Sequence, residues 1–154
     1  MIGAGFDAEV VHHLSLPLKR AIGKGAYVLQ GMRESVRYNF PKIGISIDGV
    51  ATEAGSVIVT KGRYYAGKHL LAADASPMAP GFTVALFDRA GPLSALAYGA
   101  ALPLNLLAKM PGIRLQRAEE IRIDAPRTQT DGDPGCCGPT LIRNAASPIQ
   151  VVMA

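Results

Sequence analysis

Asp131-Gly132-Asp133 sets two carboxylates around a glycine, between runs rich in strand-forming residues. A carboxylate held there could accept the proton of an attacking hydroxyl, the positioning that phosphoryl transfer demands of its nucleophile. Asp-Gly is first of all a hairpin turn, and a solvated turn explains the tripeptide on its own. Gly3-Ala4-Gly5-Phe6-Asp7-Ala8 has the glycine spacing of a dinucleotide cradle, which works only when a strand delivers it and a helix N-terminus receives the pyrophosphate. Only Met1 and Ile2 precede it and no alternating strand-helix units follow, so the glycines are read as a tight turn into a helix starting near Asp7. His12 and His13 are neighbours, and on a helix they point about 100° apart, so they cannot share a metal; they are read as structural or exposed. The two cysteines, Cys136 and Cys137, sit together in a Gly-Cys-Cys-Gly turn. Adjacent cysteines rarely bridge, and no second pair completes a zinc set, which points to a reducing, cytoplasmic setting. Tyr64 and Tyr65 could line an apolar cleft or fill the core.

The elements that must position these residues change period along the chain. Asp7 is placed to cap a short helix through about Leu14, with Glu9 favouring its positive end. Ser15 and Pro17 restart a helix in which Leu18, Ile22, Ala26, Leu29, Met32 and Val36 form a core stripe, running to Tyr38. Beyond Pro41 the pattern alternates: Ile43, Ile45 and Ile47 share one face of a strand that ends at the turn signal Asp48-Gly49. Ser56 to Thr60 and Phe82 to Phe87 read as strands, Leu93 to Leu107 as a buried helix. The final third returns to short strands: Ile113 to Arg117, Glu120 to Asp124, Arg127 to Thr130, Thr140 to Arg143 and Ile149 to Met153. Their close spacing favours antiparallel pairing, because parallel crossovers need a dozen or more residues. The expected fold is α+β: one antiparallel β-sandwich-like domain over residues 1–154, with two or three attached helices.

At 154 residues and 49% hydrophobic, the chain can bury one sizeable core. Its net charge of +4 comes largely from Lys19, Arg20, Lys24, Arg33, Arg37 and Lys42. Such a run is a solvated helical face or an approach surface for anions. Nucleic acid is set aside for want of clustered aromatics or a recognised motif. Gly91 to Ala108 is uncharged but short for crossing a membrane and diluted by Ser94, Gly99, Pro103 and Asn105. No secretory signal opens the sequence.

Taken in order, Gly5-Phe6-Asp7-Ala8-Glu9-Val10-Val11, Leu18-Lys19-Arg20, Gly23-Lys24, Ala26-Tyr27-Val28-Leu29, Gly62-Arg63-Tyr64-Tyr65-Ala66-Gly67, Leu71-Ala72-Ala73-Asp74-Ala75 and Gln129-Thr130-Asp131-Gly132-Asp133-Pro134 are together similar to the C-terminal domain of soluble diacylglycerol kinases. That family also includes sphingosine and ceramide kinases. The resemblance implies ATP-dependent phosphorylation of a lipid hydroxyl in a complete enzyme using ATP and magnesium. It assigns the proton acceptor to Asp133; beside it Asp131 is read as supporting the turn, and Tyr64 and Tyr65 as able to line a lipid cleft, although filling the core is the commoner use of such residues.

Three departures accompany it. Relatives often carry Glu where Asp133 stands, so the site must close by about one methylene. Where relatives hold a structural magnesium with an Asp-Asp-Gly segment, this chain has Ala79-Pro80-Gly81; no metal is expected there, and Asp74 is only a weak substitute. The Gly-Gly-Asp-Gly loop that receives ATP has no counterpart, so neither ATP nor magnesium is expected on this chain alone. The strand normally preceding the Gly-x-Gly-Phe-Asp run is also expected to be truncated, exposing a sheet edge. Two functional expectations follow: the lipid-substrate domain of a diacylglycerol-kinase-like enzyme, inactive alone, or a noncatalytic lipid-binding or membrane-surface module. Expected partners are a lipid or membrane surface, a nucleotide-binding domain, or a second copy through the exposed edge. The expected location is cytoplasmic or peripheral at a membrane.

Overall fold

The computed structural model describes residues 1–145 other than 16, 18, 19, 22 and 24. Strands β1 (Ile2–Gly5), β4 (Ser56–Thr60), β7 (Phe82–Phe87), β8 (Ile113–Ala118), β10 (Arg127–Thr130) and β11 (Asp133–Cys137) form one six-stranded sheet in the order β11-β10-β1-β4-β7-β8. Strands β2 (Ile43–Ile47), β3 (Val50–Ala54), β9 (Glu120–Asp124) and β12 (Thr140–Arg143) form a second in the order β12-β9-β2-β3. A two-stranded ribbon pairs β5 (Tyr64–Tyr65) with β6 (His69–Leu70). All these pairings are antiparallel, as the short spacings require.

The core lies between the two large sheets. Ile43, Ile45 and Ile47 point inward from β2 and Ile121 and Ile123 from β9, meeting Ala4, Val57, Val59, Val84 and Leu86 of the larger sheet. The opposite face of that larger sheet buries Ile58, Ala85 and Phe87 against Leu71 and Leu107. Central strands β4 and β7 are therefore covered on both sides, which is why Val57-Ile58-Val59 is continuously apolar rather than alternating. The β2-β3 hairpin turns at Asp48-Gly49, with φ of 49° and 84°, as its sequence demands.

Helices α1 (Phe6–His12), α2 (Gly25–Arg37) and α3 (Pro92–Ala101) attach to this sandwich. Several sequence expectations fail here. Gly3-Ala4-Gly5 is not a turn: it is strand β1, lying inside the larger sheet between β10 and β4. The sheet is thus not left open at its first strand, and its edges are β11 and β8. The apolar stripe of α2 faces the wrong way for a core: Leu29, Met32 and Val36 are exposed, while Gln30, Glu34 and Ser35 are buried with Ala26. Leu18 and Ile22 of that stripe lie outside the described residues, as does the expected last strand, Ile149 to Met153. α3 is largely exposed rather than buried, with Leu93 at 83% and only Ala101 fully covered. Cys136 and Cys137 end strand β11 rather than forming a turn, both exposed and free. Pro134 is tolerated in β11 because that strand is an edge.

Candidate functional site

The two motifs farthest apart in sequence meet in space. β1 pairs with β10 so that Gly3 lies opposite Gln129. The chain leaves β1 through Gly5, whose φ of 88° is open to glycine and strained for other residues. A Cβ at Gly5 would stand 2.5 Å from the Gly55 carbonyl. Here α1 begins, and its first amide is capped from another strand: the Phe6 N–H donates to Ser56 Oγ at 3.0 Å. Asp7 therefore makes no cap, contrary to the usual preference for aspartate at that end.

Its carboxylate turns inward instead. Tyr65 Oη donates to Asp7 Oδ1 at 2.5 Å, and Gln129 Nε2 donates to Asp7 Oδ2 at 2.7 Å. With its amide so oriented, Gln129 presents Oε1 to the Gly132 N–H at 2.9 Å. On the other side of the same residue, Tyr27 Oη of α2 donates to the Gly132 carbonyl at 3.1 Å. The Asp131-Gly132 turn, with φ of 50° and 86°, is thus held through both its amide and its carbonyl. Asp131 and Asp133 are exposed at or beside it, Asp133 as the first residue of β11.

Gly3 is required for this arrangement, because a Cβ there would fall 2.6 Å from both Asp7 Oδ2 and Gln129 Nε2. Burial raises the Asp7 pKa above its ordinary value, and the hydrogen bonds from Tyr65 and Gln129 oppose part of that rise. Tyr65 is pushed well above its ordinary value by burial and by the Asp7 charge, so it remains a donor. Two further ties fix α1 along β10: His12 Nε2 donates to the Thr128 carbonyl at 2.8 Å, and Arg127 Nη1 donates to Glu9 Oε2 at 3.1 Å.

Of the residues singled out from sequence, the structure brings Tyr65 to the Asp131–Asp133 turn through Asp7 and Gln129 and leaves Tyr64 exposed on the same ribbon. Asp74 is exposed in a loop. Sequence reasoning missed Asp7 and Gln129 as site residues. The signal was there in part, since an aspartate following two closely spaced glycines has room to fold back beside the backbone. His13 is half-exposed between Glu9 and Glu34, at 3.6 and 3.4 Å, beside an open polar cleft of about 560 Å³ that includes none of Asp7, Asp131 and Asp133.

The Ala79-Pro80-Gly81 segment does not suit a divalent cation. Lys61 Nζ donates to the Ala79 carbonyl at 3.3 Å and lies 4.9 Å above the Phe82 ring, and Arg117 Nη2 donates to the Pro80 carbonyl. Two cations thus occupy the Ala79 and Pro80 carbonyls, which a divalent ion would need as ligands, although the Glu119 carboxylate stands near Gly81, 3.7 Å from where a Cβ there would lie. Among the described residues, no group of three or more His, Cys, Asp and Glu side chains is placed to hold a metal ion.

No family model matches the chain, and no curated protein does. Solved structures do. The fold is similar to that of a protein from Bacillus anthracis strain Sterne assigned as a diacylglycerol kinase, with TM-score 0.60 and 20% identity over 92% of this chain. Two further diacylglycerol kinase structures from that strain give TM-scores of 0.53 and 0.52 at 18% and 19% identity. In each case this chain spans about half the length of the structure it matches, 49%. The chain has the fold of one half of these diacylglycerol kinase chains, in agreement with the C-terminal domain indicated by its motifs.

Proposed function

We propose that this chain is the lipid-substrate domain of a diacylglycerol-kinase-like phosphotransferase, with Asp133 as the proton acceptor for the lipid hydroxyl. The observation that carries the reading is the locked Asp131-Gly132-Asp133 turn. An exposed turn alone would be ordinary, but here a buried carboxylate, a phenol, a carboxamide and a second phenol together fix the two peptides that flank one glycine. Phosphoryl transfer depends on such positioning, because little covalent chemistry is left for the protein to do.

In this reading Asp133 takes the hydroxyl proton as the lipid oxygen attacks the γ-phosphorus of ATP, and ADP leaves. ATP and its magnesium would be held by a nucleotide-binding domain that is not among these residues and is bound against the turn. Asp7, Tyr65 and Gln129 are positioning residues. The protein acts at a membrane surface without crossing it; among the described residues no helix is long and apolar enough to span a bilayer. The test supplies a nucleotide-binding domain of a diacylglycerol kinase and follows ATP-dependent phosphorylation of diacylglycerol in mixed micelles. Transfer that Asp133→Ala lowers by about a hundredfold or more supports the reading; transfer untouched by that change removes it.

A further inference from the structure

The chain has two cysteines, and the fold places both at a free edge of the larger sheet. Cys136 and Cys137 close β11, exposed and unbridged, with Gly135 before them and Gly138 after, the latter at a φ of 95°. β11 pairs with β10 on one side only, and its ladder is irregular where the thiols sit. Gln129 pairs with Pro134 and Arg127 with Cys137, so Gly135 and Cys136 together oppose Thr128. A Cβ at Gly135 would stand 2.7 Å from Thr128 Oγ1, and that hydroxyl donates to the Cys136 carbonyl at 3.1 Å. β10 itself has no such slack. Arg127 is tied to Glu9, the Thr128 carbonyl to His12 and Gln129 to Asp7, and β1 pairs with its other side.

We propose that Cys136-Cys137 is a reversible thiol–disulfide site whose closure releases the end of β11 from β10. The coupling follows from covalent geometry. Neighbouring Cα atoms across a trans peptide are about 3.8 Å apart, closer than an unstrained disulfide spans, and in an extended strand their side chains leave on opposite faces. Adjacent cysteines are therefore bridged only where the strand gives up its extended conformation between them. A central strand resists that change. Here the outer edge is unpaired, a bulge already interrupts the ladder, and a glycine on either side accepts the turn. The oxidant is a low-molecular-weight disulfide. The thiolate of one cysteine attacks it, forming a mixed disulfide and releasing one small thiol; the neighbouring thiolate then attacks the protein sulfur of that bond, closing Cys136 to Cys137 and releasing the second. Each released thiolate takes up the proton its attacker gave up, so two protein thiols are oxidised as one small disulfide is reduced. The strained product is reopened by a dithiol reductant. Closure removes the Cys137–Arg127 pairing and the bond from the Thr128 hydroxyl to the Cys136 carbonyl, and leaves Pro134 opposite Gln129 and Asp133 opposite Thr130. The strand that begins at Asp133 is then held at one end only, which links the thiols to the turn. Only the effect on phosphoryl transfer rests on the lipid-kinase reading.

The experiment treats the chain with oxidised glutathione and follows two readouts: the mass of the tryptic peptide from Thr128 to Arg143, which holds both cysteines, and backbone hydrogen exchange along β11. The expected product is an internal bridge, two hydrogens lighter than the reduced peptide and reversed by dithiothreitol. Exchange of the amides of residues 135–137 should rise at least about tenfold over the reduced protein, with β2 and β9 unchanged. Cys136→Ser and Cys137→Ser should each stop at the mixed disulfide and exchange like reduced wild type. Both positions are exposed, so the variants should melt near wild type and report that they fold. With a nucleotide-binding domain supplied, bridging should lower lipid phosphorylation about tenfold in wild type and in neither serine variant. Transfer that Asp133→Ala leaves unchanged would strike the kinase reading while mass and exchange still carry this one. Transfer lowered by Asp133→Ala yet untouched by the bridge would overturn the link to the turn. Mixed disulfides on both thiols without a bridge, cross-links between chains only, or a bridge that leaves β11 exchange unchanged would each overturn the inference.

Discussion

The β1-β10 region and the α2-α3 region are built on opposite principles. Around Asp7 the interior is polar and complete: the carboxylate has its donors, the Gln129 amide bonds through both its atoms, and Gly3 makes room for the pair. Along α2 and α3 the apolar side chains are outside and nothing among the described residues covers them. A buried polar cluster left half-satisfied would be costly, so full satisfaction yields a rigid turn. Apolar surface left open costs stability as well, and such a face is retained where an external partner completes it. One region positions; the other receives.

The sharpest break of that contrast is Gly5→Ala. Its Cβ would meet the Gly55 carbonyl at 2.5 Å in a backbone conformation already strained for alanine, and neither atom can give way. A loss of about 3 kcal/mol or more is expected in denaturant unfolding. Gly3→Ala follows at about 1–3 kcal/mol, because it pushes on side-chain rather than backbone atoms.

Tyr65→Phe leaves the buried Asp7 carboxylate without one donor and should cost about 1–3 kcal/mol near neutral pH. The pH dependence has a definite sign. The Asp7 pKa is raised in the folded state, so the folded protein binds that proton more tightly than the unfolded chain. Asp7 then makes stability fall as pH rises from its ordinary value of 3.8 through the raised value, the reverse of the usual carboxylate. Asp7→Asn should remove this contribution, seen as the difference between wild-type and variant stability across that window. Because Gln129 Nε2 already donates to this residue, the asparagine must accept there or force the amide to flip, which would also release the Gly132 N–H. Tyr65 acts at the other end of the scale: its contribution is present below about pH 10, the ordinary value, and is lost as pH rises through its raised value.

Smaller effects sharpen the same comparison. Lys61→Met should lower stability by about 1 kcal/mol through its lost carbonyl and ring contacts. Chelator or added magnesium should leave the melting temperature of wild type unchanged, since Lys61 and Arg117 hold the carbonyls of the 79–81 segment. Val36→Glu should change stability in solution by no more than about 0.5 kcal/mol.

The strands were legible in sequence wherever period and burial agree. β2 alternates because one face meets the core, and β9, β10 and β12 match their expected spans. β1 was hidden by its own glycines, which read as a turn and are present because Asp7 and Gln129 need the space of a missing Cβ. β11 was hidden by Pro134 and Gly135, residues an edge strand tolerates. Periodicity found the stripe on α2 but carries no information on which way a stripe faces, and the default of apolar inward failed there. Asp133 could be named from a resemblance of motifs, and Tyr65 from the readiness of tyrosine to line a cleft. The bond from Asp7 through Gln129 to Gly132 links residues more than a hundred positions apart, and the pairing of β1 with β10 brings them together.

The most direct measurement of the central claim is ATP-dependent phosphorylation of diacylglycerol in mixed micelles by this chain supplied with a nucleotide-binding domain, comparing wild type, Asp133→Ala and Tyr65→Phe. The account predicts transfer by wild type, a loss of about a hundred- to ten-thousandfold in Asp133→Ala, and a smaller loss in Tyr65→Phe from a loosened turn. Equal transfer by wild type and Asp133→Ala would contradict it.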